Sequence, residues 1–205
     1  NSSYSGVRDY VAGDPLKRIH WKLSAHEQKH KTRLYDDDSS ITLSVLIDAT
    51  KPEGSGESLS YAYDCLVESA LSIVVGAMAY KNKTLIVYRR AGELNQIAPL
   101  TSEQAVTEVL GGVIFGENSG IADYLLGQNS GGLIVACTCV LSDDLVRNLV
   151  YLKGKGRNPI LIYSLPPDRD ISRDTNLIDM LSANLIEHYV VKDALELKSK
   201  MENKQ

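Results

Sequence analysis

Cysteine, tryptophan and phenylalanine are scarce in this chain: three, one and one among 205 residues. Three cysteines, an odd number, exclude a disulfide framework. Cys137 and Cys139 stand two apart in an apolar run, so on a strand they share one face and cannot easily pair with each other. They read, with Cys65, as reduced, buried thiols of a protein in a reducing compartment. Charge of one sign is also lacking. A net charge of −4 is too mild to imply a nucleic-acid or membrane partner for the domain as a whole. No long apolar run reads as a bilayer span, since Ala70 to Tyr80, between Glu68 and Lys81, is too short. A signal peptide and an initiator methionine are missing, and a start at Asn1-Ser2-Ser3 reads as a piece of something longer. Neither a Walker-type phosphate loop nor a G-x-G-x-x-G after a strand occurs, and there is no G-x-S-x-G elbow. These absences argue against nucleotide binding and serine hydrolysis.

What is present is ordinary globular chemistry, 43% hydrophobic and 23% charged. Residues 41–48 are β-branched and apolar and close on Asp48, as a buried strand would. From Leu59 to about Tyr80 an apolar stripe (Leu59, Tyr63, Leu66, Ala70, Ile73, Val74) recurs at helical spacing. Lys83 to Arg89 and Leu94 to Leu100 read as a hairpin around Arg90-Ala91-Gly92-Glu93. Thr101-Ser102-Glu103-Gln104 offers a cap for a helix to about Val113, and a short helix is expected at 120–127. Gly132 to Leu141 and Pro159 to Leu165 are uninterrupted apolar strands, with a helix capped by Ser142-Asp143-Asp144 between them. A helix at Asn176 to Ala183, a strand at Ile186 to Val191 and a charged helical tail complete the chain.

This alternation predicts a Rossmann-like, doubly wound α/β sheet, mostly parallel with one antiparallel edge strand and helices on both faces. The organisation expected is an N-terminal arm (1–38), a wound-sheet domain (39–194) and a charged helical tail (195–205).

The arm carries the most distinctive pattern: Arg8-x-Tyr10-x-x-Gly13-Asp14-Pro15-x-x-Arg18-Ile19-x-Trp21-Lys22-x-Ser24-Ala25. Asp14 before Pro15 predicts the start of a short helix on which Arg18, Trp21 and Lys22 share a face. The plainer reading is that Ile19 and Trp21 anchor the arm on the sheet domain while the arginines pair with carboxylates. The sharper one is a partner-docking surface of Arg8, Tyr10, Asp14, Arg18, Trp21 and Lys22, because Trp, Tyr and Arg are the usual hot-spot residues. This signature, followed about twenty residues later by a strand ending in Asp, resembles the bacterial domain of unknown function 58 family. The family has Ala-Arg where this chain has Ala25-His26. The resemblance implies a von Willebrand factor A-type sheet on a protein whose preceding part carries membrane helices. It also implies a MoxR-type AAA+ ATPase encoded nearby.

Von Willebrand factor A domains hold a divalent cation through Asp-x-Ser-x-Ser after the first strand, a later Thr and an Asp after the fourth strand. Here the first motif reads Asp48-Ala49-Thr50-Lys51-Pro52. Asp48 and Thr50 are possible ligands, but Pro52 replaces the second hydroxyl and Lys51 adds a competing charge. Cys137-Thr138-Cys139-Val140 brings no Asp, and Asp143 looks like a helix cap. The expectation is a degenerate adhesion-type site with no required cofactor, and Mg²⁺ binding at Asp48 is the alternative. His26-Glu27-Gln28-Lys29-His30 fits the H-E-x-x-H zinc-hydrolase pattern, yet its flanks offer no long apolar helix face, so a solvated polar turn is the plainer reading. Residues 15–33 carry six Lys/Arg against one acid, a solvated face or a segment near anionic lipid. Together these features predict a non-enzymatic protein–protein interaction module on the cytoplasmic face of a bacterial inner membrane. Its expected partner is an AAA+ ATPase, and neither nucleic acid nor a small-molecule substrate is expected.

Overall fold

The computed structural model describes residues 4–9, 31–35, 42–54, 56–98, 100, 102–117, 119–127 and 132–202. The chain divides into two compact units, Asn1–Ile41 and Thr42–Gln205. In the first, β1 (Tyr4–Asp9) and β2 (Lys31–Tyr35) form a two-stranded antiparallel ribbon, with Arg8 opposite Thr32 and Asp9 opposite Lys31. Neither strand is anticipated by pattern. Tyr4-Ser-Gly-Val-Arg-Asp has no alternation of apolar and polar residues, and so gives no period-2 signal. The expected helix from Asp14, and Trp21 on it, lie outside the described residues.

The second unit is built on a six-stranded sheet in the order β5-β4-β3-β6-β7-β8. Its strands are β3 (Thr42–Asp48), β4 (Lys83–Arg90), β5 (Glu93–Ile97), β6 (Leu133–Thr138), β7 (Ile160–Ser164) and β8 (Glu187–Val191). All neighbours pair in parallel except β4 and β5. That pair is closed by a tight turn in which Ala91 and Gly92 both take positive φ (51° and 83°), as a two-residue hairpin loop requires. The sheet is therefore wound in both directions from β3 and β6, as the strand–helix alternation predicts.

Successive residues of each inner strand feed opposite layers. Val45 and Ile47 of β3 join Ile86, Val135, Cys137 and Ile162 on one face, while Leu46 joins Val87, Ala136, Leu161 and Tyr163 on the other. The first layer is covered by α1 (Glu57–Ala79), α2 (Glu103–Gly111) and α6 (Ala194–Glu202). The second is covered by α3 (Ala122–Leu126), α4 (Asp143–Gly154) and α5 (Thr175–Ala183). The charged helical tail packs on the sheet: α6 buries Leu197 in the first layer, and its Lys200 donates to the Val190 carbonyl at 2.6 Å.

Among the described residues one helix, α1, is long and apolar enough to cross a membrane by length and composition. That corrects the reading from Ala70–Tyr80 alone, because the helix begins earlier, at Glu57. Its buried stripe, including Leu59, Leu66, Ala70 and Val74, packs on the sheet as a core helix does. Ser102 and Ser142 cap α2 and α4, accepting from Ala105 N–H and Leu145 N–H at 3.2 Å each. Asp143 is therefore a first-turn acid rather than the cap. The thiols of Cys65, Cys137 and Cys139 are free and buried, and burial pushes Cys137 up to about 12.

Gly132 opens β6 at φ 148°, and a Cβ built there would lie 2.5 Å from the Thr42 carbonyl oxygen. The obstacle is backbone, which cannot swing aside. Gly132→Ala should therefore destabilise the domain by about 2–4 kcal/mol in equilibrium urea unfolding. A loss under about 0.5 kcal/mol would show that the start of β3 yields.

Candidate functional site

In a wound parallel sheet, ligands bind beyond the carboxyl ends of the strands, where the winding changes direction. Here that place lies between β3 and β6, with Asp48 directly opposite Thr138. The crest there opens into a cleft of about 700 Å³. Asp48 and Thr50 lie at its floor, Glu117, Asp123 and Asp144 around it, and Leu126 half-exposed at its lip.

Asp48 is 3% exposed because the strand that carries it is buried on both faces. Its Oδ1 accepts from the Thr50 N–H at 3.1 Å and from the Thr50 hydroxyl at 2.6 Å. Burial pushes the carboxyl above the usual carboxylate range, and the two Thr50 hydrogen bonds pull the other way. The loop after α2 closes over this pair. Gly116 N–H donates to Ala49 O at 2.9 Å, Lys51 N–H donates back to Gly116 O at 3.3 Å, and Tyr63 stacks on Phe115 at 3.7 Å between centroids. Gly120 completes the closure: a Cβ there would come within 3.2 Å of the Thr50 hydroxyl. On the far wall Arg89 pairs with Asp123 at 2.6 Å, and Asn148 donates to the Ala122 carbonyl at 2.7 Å, tying α4 to α3.

The structure brings Asp48 and Thr50 together as the sequence suggests. Of the arm residues, Arg8 lies on β1, while Tyr10, Asp14, Arg18, Trp21 and Lys22 lie outside the described residues, as do His26, Glu27 and His30. The other cleft residues carry no sequence signal. Glu117, Gly120 and Asp123 are spread through a loop and a short helix, and Asp144 and Asn148 read as ordinary helix-surface residues.

The donor set does not fit a divalent cation. Pro52, itself buried, stands where the second hydroxyl should be and brings no side-chain oxygen. Thr138, facing Asp48 across the sheet, is occupied with Val140, donating to its carbonyl at 2.8 Å and accepting from its N–H at 2.9 Å. Among the described residues no three His, Cys, Asp or Glu side chains are grouped to hold a metal ion. A second crest cleft of about 480 Å³, beyond β7 and β8, holds two ion pairs. There Arg169 meets Asp174 at 3.0 Å and Lys200 meets Glu196 at 2.7 Å.

A carboxyl whose value is raised by burial costs the folded state nothing below the ordinary value of 3.8. The cost grows as pH rises from there to the folded value and is constant above it. Asp48→Asn keeps an oxygen for Thr50 and removes the charge. It should raise stability at pH 7 by on the order of 1 kcal/mol, with the gain fading below about pH 4. Thermal melts at both pH values check this, and an equal shift at the two, or a loss at pH 7, contradicts it.

No curated protein matches the chain. The family pattern described as "Protein of unknown function DUF58" matches residues 6–129, from the signature arm through β3 and Asp48 to the end of α3. The chain belongs to the DUF58 family.

Proposed function

We propose that this chain is a non-catalytic protein–protein interaction module that docks a partner at the β3/β6 crest. The observation that carries the reading is the cleft itself. A buried carboxyl is fixed by a neighbouring hydroxyl at its floor, acids line its walls, and half-exposed Leu126 and Ile114 stand on the crest. Binding surfaces combine an apolar anchor with a polar surround in this way. Chemistry needs more than a carboxyl. His188, the one histidine among the described residues, has its Nδ1 turned to the Ile186 carbonyl at 2.9 Å, away from the crest at the start of β8.

The resemblance supports a bacterial membrane-anchored protein whose soluble part faces the cytoplasm and works with a MoxR-type AAA+ ATPase. Arg8, Tyr10, Asp14, Arg18, Trp21 and Lys22 have the chemistry of hot-spot residues and form the second proposed docking element.

The test is binding of the neighbour-encoded ATPase by calorimetry, with thermal melts on every variant. Leu126→Ser and Asp144→Lys on the crest, and Arg18→Glu on the arm, should each weaken binding about tenfold or more while remaining folded. Unchanged affinity in all three would refute the assignment.

A further inference from the structure

A net charge of −4 conceals an uneven distribution. Acids gather at the crest, and the opposite edge, where the parallel strands begin and α1, α4 and α5 end, is basic. Lys81 precedes β4 and Lys83 is its first residue. Lys153 and Lys155 close α4, and Arg157 follows, donating to the Gly132 carbonyl at 2.8 Å. Glu103 and Glu187 bring acid to this edge.

Apolar tips stand among these cations. Tyr80 is 84% exposed and Leu185 79%. Tyr151 is 47% exposed, with the Lys155 ammonium 5.3 Å from its ring centre. A groove of about 640 Å³ runs beside Lys81 and Lys83 over Met78, Leu85 and Leu100.

Local folding explains only part of this pattern. Lys153 complements the carbonyl end of α4. Tyr80 and Leu185, however, bring no charge to balance a helix end. Leu185 sits at φ 53°, a left-handed conformation that favours glycine, so backbone geometry does not ask for an exposed leucine there.

We propose that this edge rests on an anionic lipid surface. The Lys81 and Lys155 ammoniums meet headgroup phosphates, with Tyr80, Tyr151 and Leu185 in the interfacial layer. The shape supports a plane rather than a pocketed ligand, because the groups are spread from the start of β4 to the start of β8. Lysine stems can lie along apolar surface while their heads reach phosphate. Tyrosine, apolar in body and polar at the tip, suits the same layer. The acidic crest then points away from the lipid, so the two faces do not compete. This inference does not depend on the crest reading.

The test is co-sedimentation of the full chain with phosphatidylcholine vesicles, with and without phosphatidylglycerol. Binding is expected only where phosphatidylglycerol is present, and should weaken with added salt. The double variant Lys81→Glu/Lys155→Glu should lower partitioning about tenfold or more. Leu185→Gly removes an apolar tip while relaxing the backbone, so it should fold normally and still bind less. Wild-type protein that stays in the supernatant overturns the proposal. So does full binding by the folded variants, which would assign lipid contact to the basic 15–33 segment instead. Tighter binding to random-sequence DNA than to the vesicles also overturns it.

Discussion

The burial of β3 on both faces governs the shape of the crest. Val45, Leu46 and Ile47 are fully enclosed, and parallel neighbours on either side leave the strand no free edge. Asp48 extends that run by one residue, so its carboxyl emerges where water is already excluded. An isolated carboxylate at such a depth is costly unless it is bonded or neutral. The Thr50 hydroxyl and N–H answer one oxygen, and the pKa moves upward to meet the rest. Holding Thr50 in place then demands the bridge to Gly116, and the bridge demands a neighbour as small as Gly120. A chain of local necessities runs from the apolar strand to the cleft.

The same chain bears on the docking role proposed for the crest. A cation site needs several oxygens with lone pairs turned to a common point. Here Thr138 is occupied on both sides by Val140, donating to its carbonyl and accepting from its N–H. Lys51 adds an exposed positive charge beside the motif, and Pro52 is buried. What remains is a preformed hollow with fixed walls. The Arg89–Asp123 pair and the Asn148–Ala122 hydrogen bond brace it from the far side. Preorganisation of that kind lowers the entropy cost of docking without supplying a reactive group.

The wound sheet is legible in the sequence because β3, β6 and β7 must be apolar on both faces, and a run of that sort reads unambiguously once helices alternate with it. The hairpin turn is legible because Gly92 stands where positive φ is needed. Asp48 and Thr50 are legible as the end of a strand and its second successor. The rest of the cleft is not, since Glu117, Asp123, Asp144 and Asn148 come from three separate segments joined only by folding. β1 and β2 are hidden for a related reason: a two-stranded ribbon of mixed residues has no periodic face to display. The tail reads as charged and helical, and one buried leucine, Leu197, seats it on the sheet.

Parallel pairing also polarises the domain in a way that composition hides. It gathers the ends of the parallel strands at one edge and their starts at the other, so the two edges are chemically independent surfaces. The crest receives helix N-termini with their acids, Asp143 and Asp144 on α4 among them. The opposite edge receives helix C-termini, where lysine is the favoured neighbour. Local electrostatics therefore separates charge in such a domain before any partner is considered. Function needs to add little to that polarity. On the crest it adds a cleft with an apolar lip. On the opposite edge it adds uncharged, exposed side chains, Tyr80 and Leu185, which dipole compensation does not require. Those two residues are what the lipid proposal adds to the balancing of helix ends.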